Sequence, residues 1–178
     1  MDRRVILTGM AVAAASPLFV RSTLAAMIDP KSAKTEADFR NGVIGPAQLS
    51  LITSTLAVDK AKNEHAKIFA GYEMVEAIAV TSVLKDLGTV EPEMDAKGKM
   101  VLAKLQSSTG TEFDTTYIQA QLENHEYLRD LAEAYLANSP AGTSDPAESQ
   151  GRHLATLSLA VFKEHVDITT RILAELKA

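Results

Sequence analysis

The chain has 178 residues, 46% of them hydrophobic and 5% aromatic, with four histidines, no Trp and a formal net charge of −5. That length suits one domain whose core holds without staples. The lack of cysteine excludes a disulfide framework, a thiolate metal site and a Cys nucleophile, and the acidic balance without a basic stripe argues against nucleic acid as a partner.

Residues 1–26 form a signal peptide that stands outside the fold. Met1-Asp2-Arg3-Arg4 is a short basic start, residues 5–20 are uncharged and apolar with Pro17 inside, and Ser22-Thr23-Leu24-Ala25-Ala26 offers small residues for cleavage near Ala25 or Ala26. The apolar stretch is too short and interrupted for a membrane span, although a retained anchor is the alternative. Arg3-Arg4 suits a twin-arginine route, and the general secretory route fits nearly as well. The mature chain is therefore expected in the periplasm or outside the cell, with no transmembrane span. Loss of three arginines and one aspartate with the leader takes the net charge from −5 to −7.

Residues 27–44 are polar and unpatterned, with Pro30 and Gly42, and are expected to form a flexible arm before a bundle spanning 45–178. Pro46 suits a first helical turn, and Leu49, Ile52 and Leu56 recur at helical spacing up to residue 61. Asn63 is an N-cap for a second helix running to Leu87, with Gly88 at C′. One continuous helix over 46–87 is the competing reading. A shorter helix over 94–106 follows a Pro92 loop. Thr111 and Asp114 have capping-box spacing for a helix over 112–137. Asp145-Pro146-Ala147-Glu148 combines an N-cap, an N1 proline and an N3 glutamate for a last helix reaching Leu176. This is the layout of an all-α, up-and-down four-helix bundle with an additional short helix.

Polar residues interrupt the apolar seams. In the second helix the four-three spacing runs Ala66, Ala70, Glu73, Ala77, Val80, Leu84, Leu87, which turns Glu73 inward, and Glu76 lies one turn on. The fourth helix aligns Ile118, Gln121, His125, Leu128, Ala132 and Tyr135, and the last aligns Leu154, Val161, His165, Ile168 and Ile172. His65 and His153 fall off these stripes and belong to the surface, as do Glu123, Glu126, Glu164 and Asp167. Tyr117, Tyr127 and Tyr135 are read as packing residues with their hydroxyls at the bundle edge. A buried carboxylate needs a partner. Three arrangements satisfy it: a Glu–His hydrogen-bonded network, a metal ion held by Glu73, Glu76, His125 and His165, or a water-filled polar slot. Iron, manganese and zinc all suit such donors. No phosphate loop, nucleophile elbow or His-Glu-x-x-His motif is present. A catalytic role is accordingly not expected, and a structural, stress-related or binding role stands beside the metal-binding one.

The run Lys67-Ile68-Phe69-Ala70 and the marker Phe113-Asp114-x-x-Tyr117-Ile118-x-x-Gln121-x-x-x-His125 resemble the bacterial family called domain of unknown function 4142 (DUF4142), a ferritin-like helical bundle. The resemblance spans roughly residues 45–176. It implies an exported ferritin-like bundle of a family often labelled as outer membrane proteins. Commoner members carry a glutamate in the first helix and a histidine after the Phe-Ala-x-x-Met-Val stretch. Here those positions read Gln48-Leu49-Ser50 and Glu73-Met74-Val75-Glu76-Ala77. With Glu73-x-x-Glu76 and no Glu-x-x-His, the chain lacks the donors of a ferritin-type di-iron site.

Overall fold

The computed structural model describes residues 28–178 apart from Pro140 and Thr143, so the expected signal peptide lies outside the described residues. After a 3-10 turn at Pro30–Ser32 come five helices: α1 Glu36–Lys60, α2 Glu64–Asp86, α3 Ala96–Ser107, α4 Gly110–Asn138 and α5 Pro146–Leu176. Among the described residues there is no strand, and no helix is long and apolar enough to cross a membrane.

The first helix begins ten residues before Pro46. Thr35 and Asp38 form a reciprocal capping box, the device that satisfies two orphan N–H groups at a helix start. Residues 36–44 are therefore not a flexible arm. Phe39, Val43 and Ile44 are buried there, and Phe39 stacks on Tyr135 at 5.4 Å. Pro46 sits inside α1, not at its start.

The inner stripe of α1 also differs from expectation. Ala47, Ser50, Thr53, Ser54 and Ala57 are buried, while Leu49, Ile52 and Leu56 lie half-buried on its flanks. Hydroxyls are tolerated inside because α4 supplies partners: Ser54 and Tyr117 share a hydrogen bond of 2.8 Å. The Tyr117 hydroxyl thus lies in the interior and not at the bundle edge.

The chain does break between α1 and α2. Asn63 caps α2 by accepting from the Ala66 N–H at 2.9 Å. The Asp114 carboxylate accepts from the N–H groups of Lys62 at 3.0 Å and Asn63 at 2.7 Å. Asp114 therefore serves this joint and makes no capping box with Thr111, and the N-cap of α4 is Thr109. At the other end of α2, Gly88 adopts φ +79 and its N–H bonds to the Lys85 carbonyl, while Thr89 N–H bonds to Leu84. This is a Schellman closure around the expected glycine. Asp145 caps α5 through the Ala147 N–H at 2.9 Å, but Glu148 reaches across to the Glu36 N–H of α1.

Cross-helix contacts give the directions. Ser54–Tyr117, Ser50–Gln121 and Pro46–Asn124 make α1 and α4 antiparallel. Tyr135–Glu148 and His125–His165 do the same for α4 and α5. The α1–α2 hairpin closes where Arg40 donates to the Leu87 carbonyl and Thr89 hydroxyl. It follows that α2 and α4 run parallel, so the segment carrying α3 crosses the length of the bundle. The order is up, down, crossover, down, up, rather than four consecutive antiparallel helices.

Two apolar clusters fill the bundle, one around Phe39, Ile44, Leu131 and Tyr135 and one around Phe69, Leu105, Phe113 and Tyr117. Between them lies a polar layer.

Candidate metal centre

Each of α2, α4 and α5 delivers its central seam residue to this layer. Glu73 is 4% exposed, His125 2% and His165 5%, so all three face inward as their spacing predicts. Glu73 Oε2 stands 2.9 Å from His165 Nδ1 and 3.3 Å from His125 Nε2, and the two imidazole nitrogens are 3.1 Å apart. Glu76 approaches from the bundle edge. Its Oε2 lies 3.0 Å from the other nitrogen of His165, Nε2, and its side chain is 43% exposed. His65 and His153 lie on the surface, His65 paired with Glu175 at 2.8 Å.

The protonation pattern follows from the partners. His125 Nδ1–H donates to the Gln121 carbonyl at 2.8 Å, which in a neutral ring leaves Nε2 as the free lone pair. That lone pair points at a carboxylate oxygen and a second imidazole. Such a meeting needs a hydrogen or a cation between the three atoms, which the Nδ1–H of His165 or a metal ion would supply. Burial by itself raises the Glu73 carboxyl, but His125 and His165 outweigh it and lower it to about 2. Burial depresses His165, yet Glu73, Glu76 and Glu164 together hold it above the ordinary imidazole value. Glu76 is raised, by burial first and then by the neighbouring carboxylates.

The surroundings are dry on two sides and wired on a third. Phe69 sets its edge against His165 at 5.1 Å, and Phe162 lies 6.1 Å from His125. Gln121, on the predicted stripe but not among the expected site residues, accepts from Ser50 and donates to Thr53, both at 2.9 Å. Its backbone carbonyl thereby belongs to a rigid polar unit. Asn124 extends the network by donating to Ser50 at 2.9 Å. The run Ser50-x-x-Thr53-Ser54 at helical spacing was the available signal for this unit. A cavity of about 30 Å³ adjoins the cluster, lined by Glu73, Glu76, His125, His165 and apolar side chains. One water needs about 10–15 Å³, so the space admits an ion with a water.

Glu73, His125 and His165 form a group whose donor atoms all lie within 4.8 Å of one another. Tetrahedral bonds of about 2.0–2.1 Å place neighbouring ligand atoms about 3.3 Å apart. The observed 2.9, 3.1 and 3.3 Å approach that edge length. Glu76 belongs to a different position, on the far nitrogen of His165, where carboxylates orient metal-bound imidazoles.

Fold and site together define an all-helical bundle with a buried Glu–His cluster between two apolar halves. The chain belongs to the family described as Domain of unknown function (DUF4142), which matches residues 21–167 and so includes all four of these residues. No curated protein and no solved structure is similar to the chain at a significant level.

Proposed function

We propose that this is an exported, ferritin-like bundle that holds a single transition-metal ion in its core through Glu73, His125 and His165, with Glu76 orienting His165. The observation that carries the reading is the spacing of three lone-pair atoms at nearly the edge length of a tetrahedral site. The adjoining cavity leaves room for a water as a further ligand. Two imidazoles and a carboxylate suit zinc, iron or manganese. One carboxylate with two histidines is a quarter of the four-carboxylate set of a di-iron centre, which favours a mononuclear site and a binding role over oxidase chemistry. The single crossover between α2 and α4 supports the ferritin-like assignment, since ferritin-like bundles have one long crossover.

The test is metal analysis of protein purified from its native compartment without chelator, beside Glu73→Gln. Wild type is expected to carry about one equivalent of metal and the variant none. Equal, trace metal in both would reduce the cluster to a structural Glu–His network, the reading favoured by the 2.9 Å Glu73–His165 contact. Export is tested separately: the mature protein is expected to begin near Ala26 or Met27, and exported protein that still begins at Met1 would overturn it.

A further inference from the structure

Five of the nine large apolar side chains that stand exposed among the described residues lie on one helix, α2: Ile68 (49%), Tyr72 (68%), Val75 (61%), Ile78 (51%) and Val83 (42%). The usual distribution is inverted there. Apart from Phe69 and Leu84, the buried positions of α2 hold small or polar residues, Ala66, Ala70, Glu73, Ala77 and Thr81, while the larger apolar side chains face out. Spacings of four, three and three residues, and of eleven from Tyr72 to Val83, gather the five on one side of the helix. Glu76 turns off that side toward His165. A helix apolar on both faces is one that is covered on both.

Gly71 sits in the same stripe, between Ile68 and Val75. It lies inside α2, and a Cβ there would meet nothing within 4 Å. Among the described residues nothing requires this glycine, which weakens the helix relative to alanine; a missing side chain there lets a second backbone come close. Ala79 and Ser82, on the same side, are also small and exposed. Charges stand at the two ends of the stripe, Glu64 and Lys67 at one and Lys85 and Asp86 at the other. A second copy lying parallel would set each charge beside its own likeness. Antiparallel about Val75, Glu64 comes level with the partner's Lys85, and Lys67 lies within one turn of the partner's Asp86. The patch is therefore self-complementary, as a two-fold interface demands. Its mixed charges lack the basic surround that draws an apolar helix face onto anionic lipid.

We propose that the protein forms a two-fold dimer by antiparallel pairing of α2 with α2 of a second copy, crossing at Val75 and closing on Gly71. The pairing is independent of the metal centre and stands whether or not metal is bound. One helix pair about 35 Å long makes an interface at the small end of the specific range, so the dimer is expected to dissociate in the micromolar range. Sedimentation velocity of protein purified from its native compartment, in a concentration series across that range, is expected to show monomer giving way to dimer. Val75→Glu, at a position open in the monomer, is expected to keep the protein monomeric throughout with an unchanged circular dichroism spectrum. Gly71→Leu, where Leu is the better helix former, is expected to lose the dimer yet raise the urea midpoint at concentrations where both proteins are monomeric, a combination that misfolding cannot produce. Lys67→Glu is expected to weaken dimerisation about three- to thirtyfold, and Lys67→Glu with Asp86→Lys to restore it. A monomer at every concentration, or a dimer that survives both Val75→Glu and Gly71→Leu, would overturn the proposal, as would a monomer that instead sediments with phosphatidylcholine vesicles. Failure of the double charge reversal to restore the dimer would overturn the antiparallel order.

Discussion

Glu73 is the residue on which the interior turns, and its ionisation makes pH a probe of the cluster. Its carboxyl falls from 4.5 to about 2 on folding. The stability it contributes is therefore present above about 4.5 and lost as pH falls toward 2. His165 rises from 6.5, so its contribution is present below 6.5 and lost as pH climbs through the raised value. The groups facing the pair are His125 on α4, Glu164 on α5 and Glu76 on α2. In chelator, urea unfolding is expected to show the pair's contribution complete between about 4.5 and 6.5 and declining on both sides, and Glu73→Gln is expected to flatten the profile. Metal must displace the proton that His165 holds, so affinity is expected to fall as pH falls through the raised value. Glu73→Leu, which leaves the buried His165 without its carboxylate partner, is expected to destabilise the metal-free protein below the raised His165 value by up to about 3–5 kcal/mol, because removing one member of a buried pair strands the other's charge. The same variant is expected to lose bound metal altogether. Glu76→Gln acts through His165 and is expected to lower metal affinity about 10–100-fold at unchanged stoichiometry, read by competition with a chelating dye.

Among the elements, the joint between α1 and α2 shows how a helix can be closed by a residue far away in the chain. Asp114 is 2% exposed and accepts two backbone N–H groups there. Asp114→Ala is expected to destabilise by about 2–3 kcal/mol, the scale for stripping a charged acceptor from buried donors. Asp114→Asn, which keeps one acceptor oxygen, is expected to cost less in the same urea titration. A second sensitive point is Gly151, where α5 crosses the start of α1. A Cβ there would stand 2.5 Å from Glu36 Cβ and 3.4 Å from its Cα. Gly151→Ala is expected to force the two helices apart and cost about 1–3 kcal/mol, typical of overpacking. The same crossing explains why the start of α1 was hard to read. Residues 36–44 hold Asn41 and Gly42 among few good helix formers, and their helix depends on burying Phe39, Val43 and Ile44 against α4 and α5. Thr35-x-x-Asp38 was the one local sign of it. Where end signals were local, as at Asn63, Gly88 and Asp145, the helices stop and start as read.

At the scale of the whole molecule, a metal held as proposed by Glu73, His125 and His165 would tie α2, α4 and α5 together. At a free concentration about a hundredfold above its dissociation constant, it is expected to add about 2.7 kcal/mol and raise the melting temperature by about 5–10 °C, reversed by chelator. An unchanged melting curve would count against an ion binding only the folded chain. All-helical character and the inward turn of Glu73, His125 and His165 were legible because both follow from a period of 3.6 residues, a property of neighbours along the chain. The meeting of these three side chains depends instead on helix register, and register is set by the crossover through α3, the Asp114 joint and the close approach at Gly151. Those are contacts between segments 50 to over 100 residues apart. Burial of Ser50, Thr53 and Ser54 in place of Leu49, Ile52 and Leu56 was decided in the same way. A hydroxyl is costly inside until a Gln121 or a Tyr117 stands opposite, and only packing brings them there. Glu73 and Glu76 differ by one helical turn, yet one reaches both imidazoles and the other only the outer nitrogen of His165. Periodicity puts both carboxylates on one side of α2, and the position of α5 assigns them different work.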